Sequence, residues 1–283
     1  SIWTGMQFAV ALRMMQELAE RKGEPDFAED CKSLYARQQK LCRALAWDGA
    51  WFRRCITDEG RFIGSKSEPQ AKIWLNTQSW AALSGLGTQE QQRQAMNSVK
   101  EYLDTDLGIK KIHPAMTTDY PTKEENLTCY NKGCGENGSV FCHANTWAII
   151  AECMLGRPEN AWKYYHQLLP MIAQKTAGAE RYKAEPYVYS SNIFGPESDK
   201  FGLANVSWLT GTAAWMYLAA TQYLLGVRPT WDGLEIDPCL PEQLLPAKVT
   251  RVFRGCRYEI TITKNQKLLL PHVDGRKQLT VTV

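Results

Sequence analysis

The chain of 283 residues contains no apolar run approaching the about 20 residues that a transmembrane helix needs. Its start, Ser1-Ile2-Trp3, has neither the basic residues nor the apolar core of a signal peptide. The net charge is only +3, and the basic residues form no patch. The sequence therefore argues against a membrane protein and against a nucleic-acid binder.

The cysteines do not form a recognisable metal or disulfide motif. There are nine of them, spread along the chain, and none belongs to a Cys-x-x-Cys pair. Cys129 and Cys134 are spaced wrongly for a zinc knuckle, and Cys142 beside His143 lacks three further ligands. No metal site is predicted. The thiols are expected to act as small core residues, which favours a reducing cytoplasm.

The chain is long enough to bury a sizeable core and to form one or two domains. Aromatic residues are plentiful, with ten Trp and twelve Tyr. That content fits a globular protein with a cleft lined by stacking side chains, and it also fits an ordinary large core.

Helical periodicity fills most of the first 226 residues. Helices are predicted over 2–21, 26–47, 71–86, 89–105, 144–156, 158–170 and 207–225. Phe8, Leu12, Met15 and Leu18 are expected on the core face of the first helix, and the last helix is expected to be buried all round. Two long polar loops, 106–139 and 171–206, separate these helices. Helix pairs with long loops suggest part of an α/α toroid whose loops gather around one cleft.

The pattern changes after Arg228-Pro229. Period-two alternation appears in 252–263, and 267–270 and 279–283 are further strand candidates. Asp274-Gly275 is a turn signal between the last two. A small β region is therefore predicted to close the chain.

The stretch 133–147 combines a Gly-rich loop with the first turn of an apolar helix. Gly135 and Gly138 allow the backbone to approach a ligand closely. Glu136 and His143 are thereby brought to the point where a loop meets a helix, and a helix start suits an anion. On spacing alone, a structural role explains each of these two side chains better than a functional one does.

Five blocks of sequence carry a family resemblance. The run 136–147 (ENGSVFCHANTW) resembles the signature loop of the inverting disaccharide phosphorylases of the cellobiose phosphorylase type, glycoside hydrolase family 94. The other blocks occur in that family's order: 73–80 (IWLNTQSW), 185–189 (EPYVY), 207–215 (SWLTGTAAW) and 232–241 (DGLEIDPCLP). Ordered blocks over nearly the whole chain are far more specific than any one of them.

The resemblance implies a mainly α fold. An incomplete (α/α)6 barrel catalytic domain would occupy 1–226, and a small C-terminal antiparallel β region would occupy 227–283. It also implies phosphorolysis with inversion, in which a β-linked gluco-disaccharide or oligosaccharide yields α-glucose 1-phosphate. No cofactor is implied, because inorganic phosphate is the co-substrate. Members are commonly homodimers, although no segment of this sequence identifies an interface.

Site residues carry over position by position. The family's phosphate-holding positions match His143, Thr210 and Gly211. Its sugar-lining positions match Tyr130, Gly135, Glu136 and Ser191. The family's general acid, an aspartate, matches a point before Ser1, so no catalytic residue is assigned here. The isolated chain is expected to be inactive, with the remainder of the polypeptide lying upstream.

Three positions bear on the substrate. Gly135 stands where cellobiose phosphorylase has a lysine that meets the acceptor sugar, which argues against cellobiose itself. Ser191 replaces a glutamine that is frequent near the donor sugar. Tyr130 resembles the glucose-using members, whereas chitobiose phosphorylase has a smaller residue there. A glucosyl donor is favoured, and a chitobiose-type N-acetylglucosaminyl donor stays open.

Two other function classes stay open. An inverting hydrolase on a similar toroid would need a second carboxylate to activate water. Its candidates are Glu124, Glu125 and Glu185. A non-catalytic sugar-binding fragment would bind sugar without turnover.

Overall fold

The computed structural model describes residues 1–117, Tyr120 and 130–283. Its α-helices are α1 Ile2–Lys22, α2 Pro25–Leu41, α3 Leu75–Ser84, α4 Gln89–Tyr102, α5 Cys142–Met154, α6 Pro158–Leu168, α7 Pro170–Ala177, α8 Ala179–Tyr182 and α9 Thr212–Leu218. Two of them, α2 and α9, continue as π-helical turns, Cys42–Ala46 and Ala219–Leu224.

The strands in the same residues are short. They are β1 Cys55–Ile56, β2 Phe62–Ile63, β3 Ile73–Trp74, β4 Asp104–Thr105, β5 Gly108–Ile109, β6 Ile112–His113, β7 Val140–Phe141, β8 Ser190–Ile193, β9 Ala204–Ser207, β10 Val227–Pro229, β11 Gly233–Ile236, β12 Ala247–Phe253, β13 Cys256–Ile262, β14 Leu268–Pro271 and β15 Gln278–Thr282. The predicted mainly α fold with a C-terminal β region is confirmed.

The helices form two rows. One row consists of α1, α3, α5 and α9, each packed on the next, and α2, α4 and α6 pack behind α1, α3 and α5 respectively. This alternation of front and back helices is that of an incomplete (α/α)6 barrel. The helices α3 and α5, with neighbours on both sides, are buried over almost their whole surface.

The orientation predicted for α1 is wrong. Phe8 is 43% exposed, Met15 41% and Leu18 37%, and only Leu12 of the predicted stripe is buried. The buried face instead carries Met6 and Ala9. Packing of α1 on α2 and α3 therefore uses a neighbouring stripe, whose buried residues are Met6, Ala9, Leu12 and Ala19.

The last predicted helix is also different from expectation. It begins at Thr212, and Tyr217 on its outer side is 64% exposed. Within the described residues α9 packs on α5 and on its own π-helical continuation, so one face stays open. Apolar composition alone predicted burial all round, and this was wrong.

The two long polar segments contain regular structure that the sequence did not reveal. The segment 171–206 holds most of α7, all of α8 and two strands, while 106–139 holds β5 and β6. Strands of two to four residues give too short an alternation to detect.

The C-terminal region forms two three-stranded sheets, ordered β10-β11-β14 and β12-β13-β15. The pairings are antiparallel except for β13 with β15, which is parallel. The parallel pair arises because the chain visits the other sheet through β14 before returning. Tyr258 and Ile260 of β13 belong to the same hydrophobic core as the helices. The division at 226/227 stays a prediction.

Candidate functional site

One three-stranded sheet, ordered β7-β8-β9, organises the site. Since β7 and β9 are each antiparallel to β8, they run parallel to each other and end at the same edge. The chain continues from β7 into α5 and from β9 towards α9. His143 in the first turn of α5 therefore meets Gly211, which directly precedes α9.

The contact between His143 and Gly211 is close. A Cβ atom placed on Gly211 would lie 2.9 Å from Cε1 and 3.2 Å from Nδ1 of His143. The hydroxyl of the adjacent Thr210 accepts a hydrogen bond from the backbone N–H of Thr212 at 3.2 Å and lies 2.6 Å from the Thr212 hydroxyl. The structure thus brings together the three residues predicted for the phosphate site.

The backbone just before Thr210 is strained. Val206 and Trp208 have φ angles of 54° and 73°, in the left-handed region that suits glycine. The Trp208 indole donates to the Glu185 carboxylate at 3.2 Å, which helps to hold this conformation. Such strain persists where the surrounding structure fixes it, and it is frequent near ligand sites.

The imidazole of His143 is held by aromatic rings. Its centroid lies 4.8 Å from that of Trp147 and 6.1 Å from that of Trp215. Burial, and secondly the positive charge of Lys111, lower the pKa of His143. Within the described part of the chain, its buried Nε2 atom has no hydrogen-bond partner. The lowered pKa favours the neutral ring, and one of its two nitrogens is buried without a hydrogen-bond partner among the described residues.

A row of tryptophans continues from His143. Trp3, Trp80, Trp147 and Trp215 come from α1, α3, α5 and α9, one from each front helix, and neighbouring ring centroids lie 5.5 to 6.5 Å apart. Sequence reasoning missed this cluster because its members are far apart in the chain. The available signal was one tryptophan in each front helix.

The loop 130–139 gathers three of the predicted sugar-site residues. Gly135, at φ 51°, lies against the ring of Tyr130, so that a Cβ atom there would come within 2.7 Å of the ring. The buried Asn137 side chain donates to the Tyr130 carbonyl at 2.9 Å and accepts from the Met116 N–H at 2.7 Å. These bonds fix Tyr130, Gly135 and Glu136 as one unit.

Glu136 reaches back to a buried lysine. Its Oε2 lies 2.8 Å from the ammonium nitrogen of Lys111, whose side chain is only 7% exposed. Burial lowers the pKa of Lys111, and Glu136 opposes that shift. Sequence reasoning missed Lys111, which stands beside a second lysine and gives no distinguishing pattern.

Ser191 occupies the middle strand, β8, and is half-buried. It therefore lies alongside the strands that lead to His143 and Thr210, but outside the contact between His143 and Gly211.

Of the carboxylates considered for a hydrolase, only Glu185 lies in the described residues. A backbone N–H, and then the Trp208 indole, lower the pKa of Glu185, which favours the ionised form that activation of water requires and makes the group a poor proton donor. Glu124 and Glu125 lie outside the described residues. Among the residues that the structure describes, no three His, Cys, Asp or Glu side chains are grouped to hold a metal ion. In the same residues, no helix has both the length and the apolar character to cross a membrane.

Comparison with curated proteins finds disaccharide phosphorylases. The chain is 35% identical over 283 residues to a solabiose phosphorylase of Paenibacillus borealis, which covers 99% of this chain and 36% of that protein. It is 36% identical over 255 residues to an N,N'-diacetylchitobiose phosphorylase of Vibrio proteolyticus, covering 89% of this chain and 31% of that protein. The chain spans about a third of the length of these relatives.

Among solved structures, the chain is similar to a sialidase with a TM-score of 0.57, over 84% of this chain and 21% of that one. At 10% identity this likeness concerns the fold alone. The model of the Glycosyl hydrolase 94 superfamily, catalytic domain, matches residues 1–226. The chain therefore belongs to the glycosyl hydrolase 94 superfamily.

Proposed function

We propose that this chain supplies the phosphate- and glucose-binding part of an inverting glycoside phosphorylase. The enzyme would transfer a glucosyl group from a β-linked gluco-disaccharide or oligosaccharide to inorganic phosphate and release α-glucose 1-phosphate. Both relatives described above are phosphorylases by name, which supports this reaction type.

The contact between His143 and Gly211, beside the Thr210 hydroxyl, carries the proposal. A buried nitrogen without a partner costs about 1–3 kcal/mol, so the Nε2 atom of His143 is expected to have a ligand in the working enzyme. We propose that a phosphate oxygen is this ligand. The neutral imidazole donates one hydrogen bond, and the hydroxyl of Thr210 supplies another.

Phosphate needs no general base, because it is already an anionic nucleophile. The protein has to hold it beneath the anomeric carbon of the glucosyl group. One phosphate oxygen then forms the new bond to carbon while the bond to the leaving sugar breaks, and the leaving oxygen takes a proton from an acid.

The acid is proposed to come from outside this chain. The pKa of Glu185 is lowered, so this carboxylate is a poor proton donor, and Glu136 is engaged in its ion pair with Lys111. The isolated chain is accordingly proposed to bind ligands without turnover.

A glucosyl donor is proposed over an N-acetylglucosaminyl donor. The Tyr130 ring, 42% exposed, lies against Gly135. By the family resemblance, this ring would take up space that a bulky N-acetyl group needs. The identity to the diacetylchitobiose phosphorylase keeps the second donor as an alternative. Exchange of Tyr130 for valine should improve binding of N-acetylglucosamine 1-phosphate relative to glucose 1-phosphate.

A homodimer and a cytoplasmic location complete the proposal. The homodimer follows from the family resemblance. The location is supported by the thiols of Cys31, Cys42 and Cys142, which are buried among core residues.

Calorimetric titration of the chain with phosphate and with α-glucose 1-phosphate tests the function. Both should bind, and His143→Ala should weaken both at least about tenfold, as the loss of one charged-ligand hydrogen bond of about 1.5–3 kcal/mol requires. His166→Ala is the matched control, since His166 lies in α6 against Trp162 and should not affect binding. A folded chain that binds neither ligand, or a variant at His143 that binds like the wild type, would contradict the proposal.

A further inference from the structure

Lys111 is fixed between three parts of the site. Its backbone N–H donates to the Ser139 carbonyl at 2.8 Å, and its carbonyl accepts from the Leu75 N–H at 2.9 Å. The first bond ties it to the end of the loop 130–139, and the second ties it to the first residue of α3. Its main-chain position is therefore set before its side chain is considered.

The side chain of Lys111 is a buried charge with a specific pair of neighbours. The ammonium group lies 2.8 Å from Oε2 of Glu136 and 4.3 Å from the ring centre of Phe141. Phe141 is the last residue of β7, two positions before His143. A buried ion pair is often no more stabilising than well-packed apolar side chains, so the role proposed for Lys111 rests on its particular neighbours and not on its burial.

The charged groups that act on Lys111 come from different elements. Glu136 attracts it from the loop, and Arg54 repels it from the segment before β1. The Arg54 guanidinium is held over the rings of Trp3 and Trp74. His143 in turn experiences the positive charge of Lys111. One ammonium group thus interacts with the residue assigned to the sugar side and with the residue assigned to the phosphate side.

We propose that Lys111 is a positioning residue, which orients the Glu136 carboxylate towards the sugar and adds a buried positive charge beside the phosphate-binding His143. The catalytic consequence rests on the proposed function, whereas the coupling of the three side chains does not. A residue of this kind acts through Glu136 and His143 and does not itself touch the reacting atoms.

Lys110 provides a matched control. It is the neighbouring residue, its side chain is 8% exposed, and it also has a carboxylate partner. Its ammonium nitrogen lies 2.9 Å from Nδ1 of His113 and 3.8 Å from Glu197, away from Glu136. A comparison of variants at Lys110 and Lys111 therefore separates the general effect of losing a buried lysine from the specific effect of losing Lys111.

The first measurement is a proton NMR titration of the histidines in the full chain, of which there are four. Lys111→Met should raise the pKa of His143, because a nearby positive charge is removed. Lys110→Met should leave the pKa of His143 as in the wild type. If the single variant fails to fold, the double variant Lys111→Met/Glu136→Gln replaces it in the titration, because it removes both charges of the pair and leaves neither unpaired. It should still show the raised pKa.

The second measurement is phosphate binding by the same variants. Lys111→Met should weaken it about tenfold, which corresponds to about 1.4 kcal/mol. The phosphate affinity of Lys110→Met should stay within twofold of that of the wild type, and Lys111→Arg should recover part of the affinity that Lys111→Met loses. A folded Lys111→Met variant with an unchanged pKa of His143 and unchanged phosphate affinity would overturn the proposal. If the wild type binds no phosphate, the proposed function fails, while a shifted pKa of His143 would still support the coupling.

Discussion

The substitution Gly211→Ala tests the contact on which the site depends. Gly211 has φ −75° and ψ 0°, a conformation open to any residue, so alanine brings no backbone strain. The obstacle is the ring of His143, which would lie 2.9 Å from the new methyl carbon and has to shift by a few tenths of an ångström. Trp147, at 4.8 Å between centroids, limits that shift.

The expected cost is modest and specific. Overpacking costs about 1–3 kcal/mol, and the exposed position of Gly211 places this substitution near 1 kcal/mol. The free energy of unfolding, measured with denaturant, should fall by about that amount in the wild-type background. In the His143→Ala background the methyl group meets no ring, so the cost should disappear, which gives a coupling energy of about 1 kcal/mol.

Gly5→Ala is the control for adding a methyl group. Gly5 lies inside α1, where the Cβ atom would meet only the tip of the Gln38 side chain at 3.3 Å. It should stabilise the chain by up to about 1 kcal/mol through helix propensity. If Gly211→Ala costs the same with and without the His143 ring, the two residues are not in contact and the proposed site is wrong.

Three further predictions concern stability. Burial raises the pKa of Glu152 to about 7 despite its ion pair with Arg157. This pKa is above the value of about 4.3 in an unfolded chain, so the folded state binds the proton more tightly. Protonated Glu152 therefore adds on the order of 3 kcal/mol to the free energy of unfolding below pH 4, and this contribution is lost as the pH rises through 7. Denaturation between pH 4 and 8 should show that the free energy of unfolding of the wild type, relative to that of Glu152→Gln, falls as the pH rises. A difference that does not change with pH would exclude this effect. Asn137→Ala should lower the free energy of unfolding by about 2–3 kcal/mol, because it leaves the buried N–H of Met116 without its acceptor. A midpoint of thermal unfolding within about 1 °C of the wild type would be incompatible with that role. Gly195→Ala should lower the free energy of unfolding by at least about 3 kcal/mol, since a Cβ atom there would lie 2.1 Å from the Gly138 carbonyl oxygen. A variant with the circular dichroism and the denaturation midpoint of the wild type would disprove the close approach of the two loops.

The sequence predicted the helices that form the scaffold because their apolar spacing is long and regular. It predicted the meeting of His143 with Gly211 only through the family motifs, since their contact depends on two short parallel strands, 140–141 and 204–207. The faces of the outermost helices were harder to predict. Phe8 is exposed because α1 packs through a neighbouring stripe, and Tyr217 is exposed because α9 keeps an open face within the described residues.

Lys111 shows what pattern reasoning omits. Beside Lys110 it resembles an ordinary solvated pair, yet both side chains are almost fully buried. Their burial is a tertiary effect: each lysine meets a carboxylate distant in the chain, Glu136 and Glu197 respectively. The row of tryptophans is unpredictable for the same reason, because each front helix contributes only one of its members.

A crystal structure of the chain with α-glucose 1-phosphate is the most direct test of the phosphate and sugar site. The phosphate group should lie within about 3 Å of the His143 Nε2 atom and of the Thr210 hydroxyl. The glucose ring should then face Glu136 and Tyr130. The account would be contradicted by a ligand bound elsewhere. It would also be contradicted if the His143 Nε2 atom formed a hydrogen bond with another protein group while the phosphate lay outside the His143–Gly211 contact.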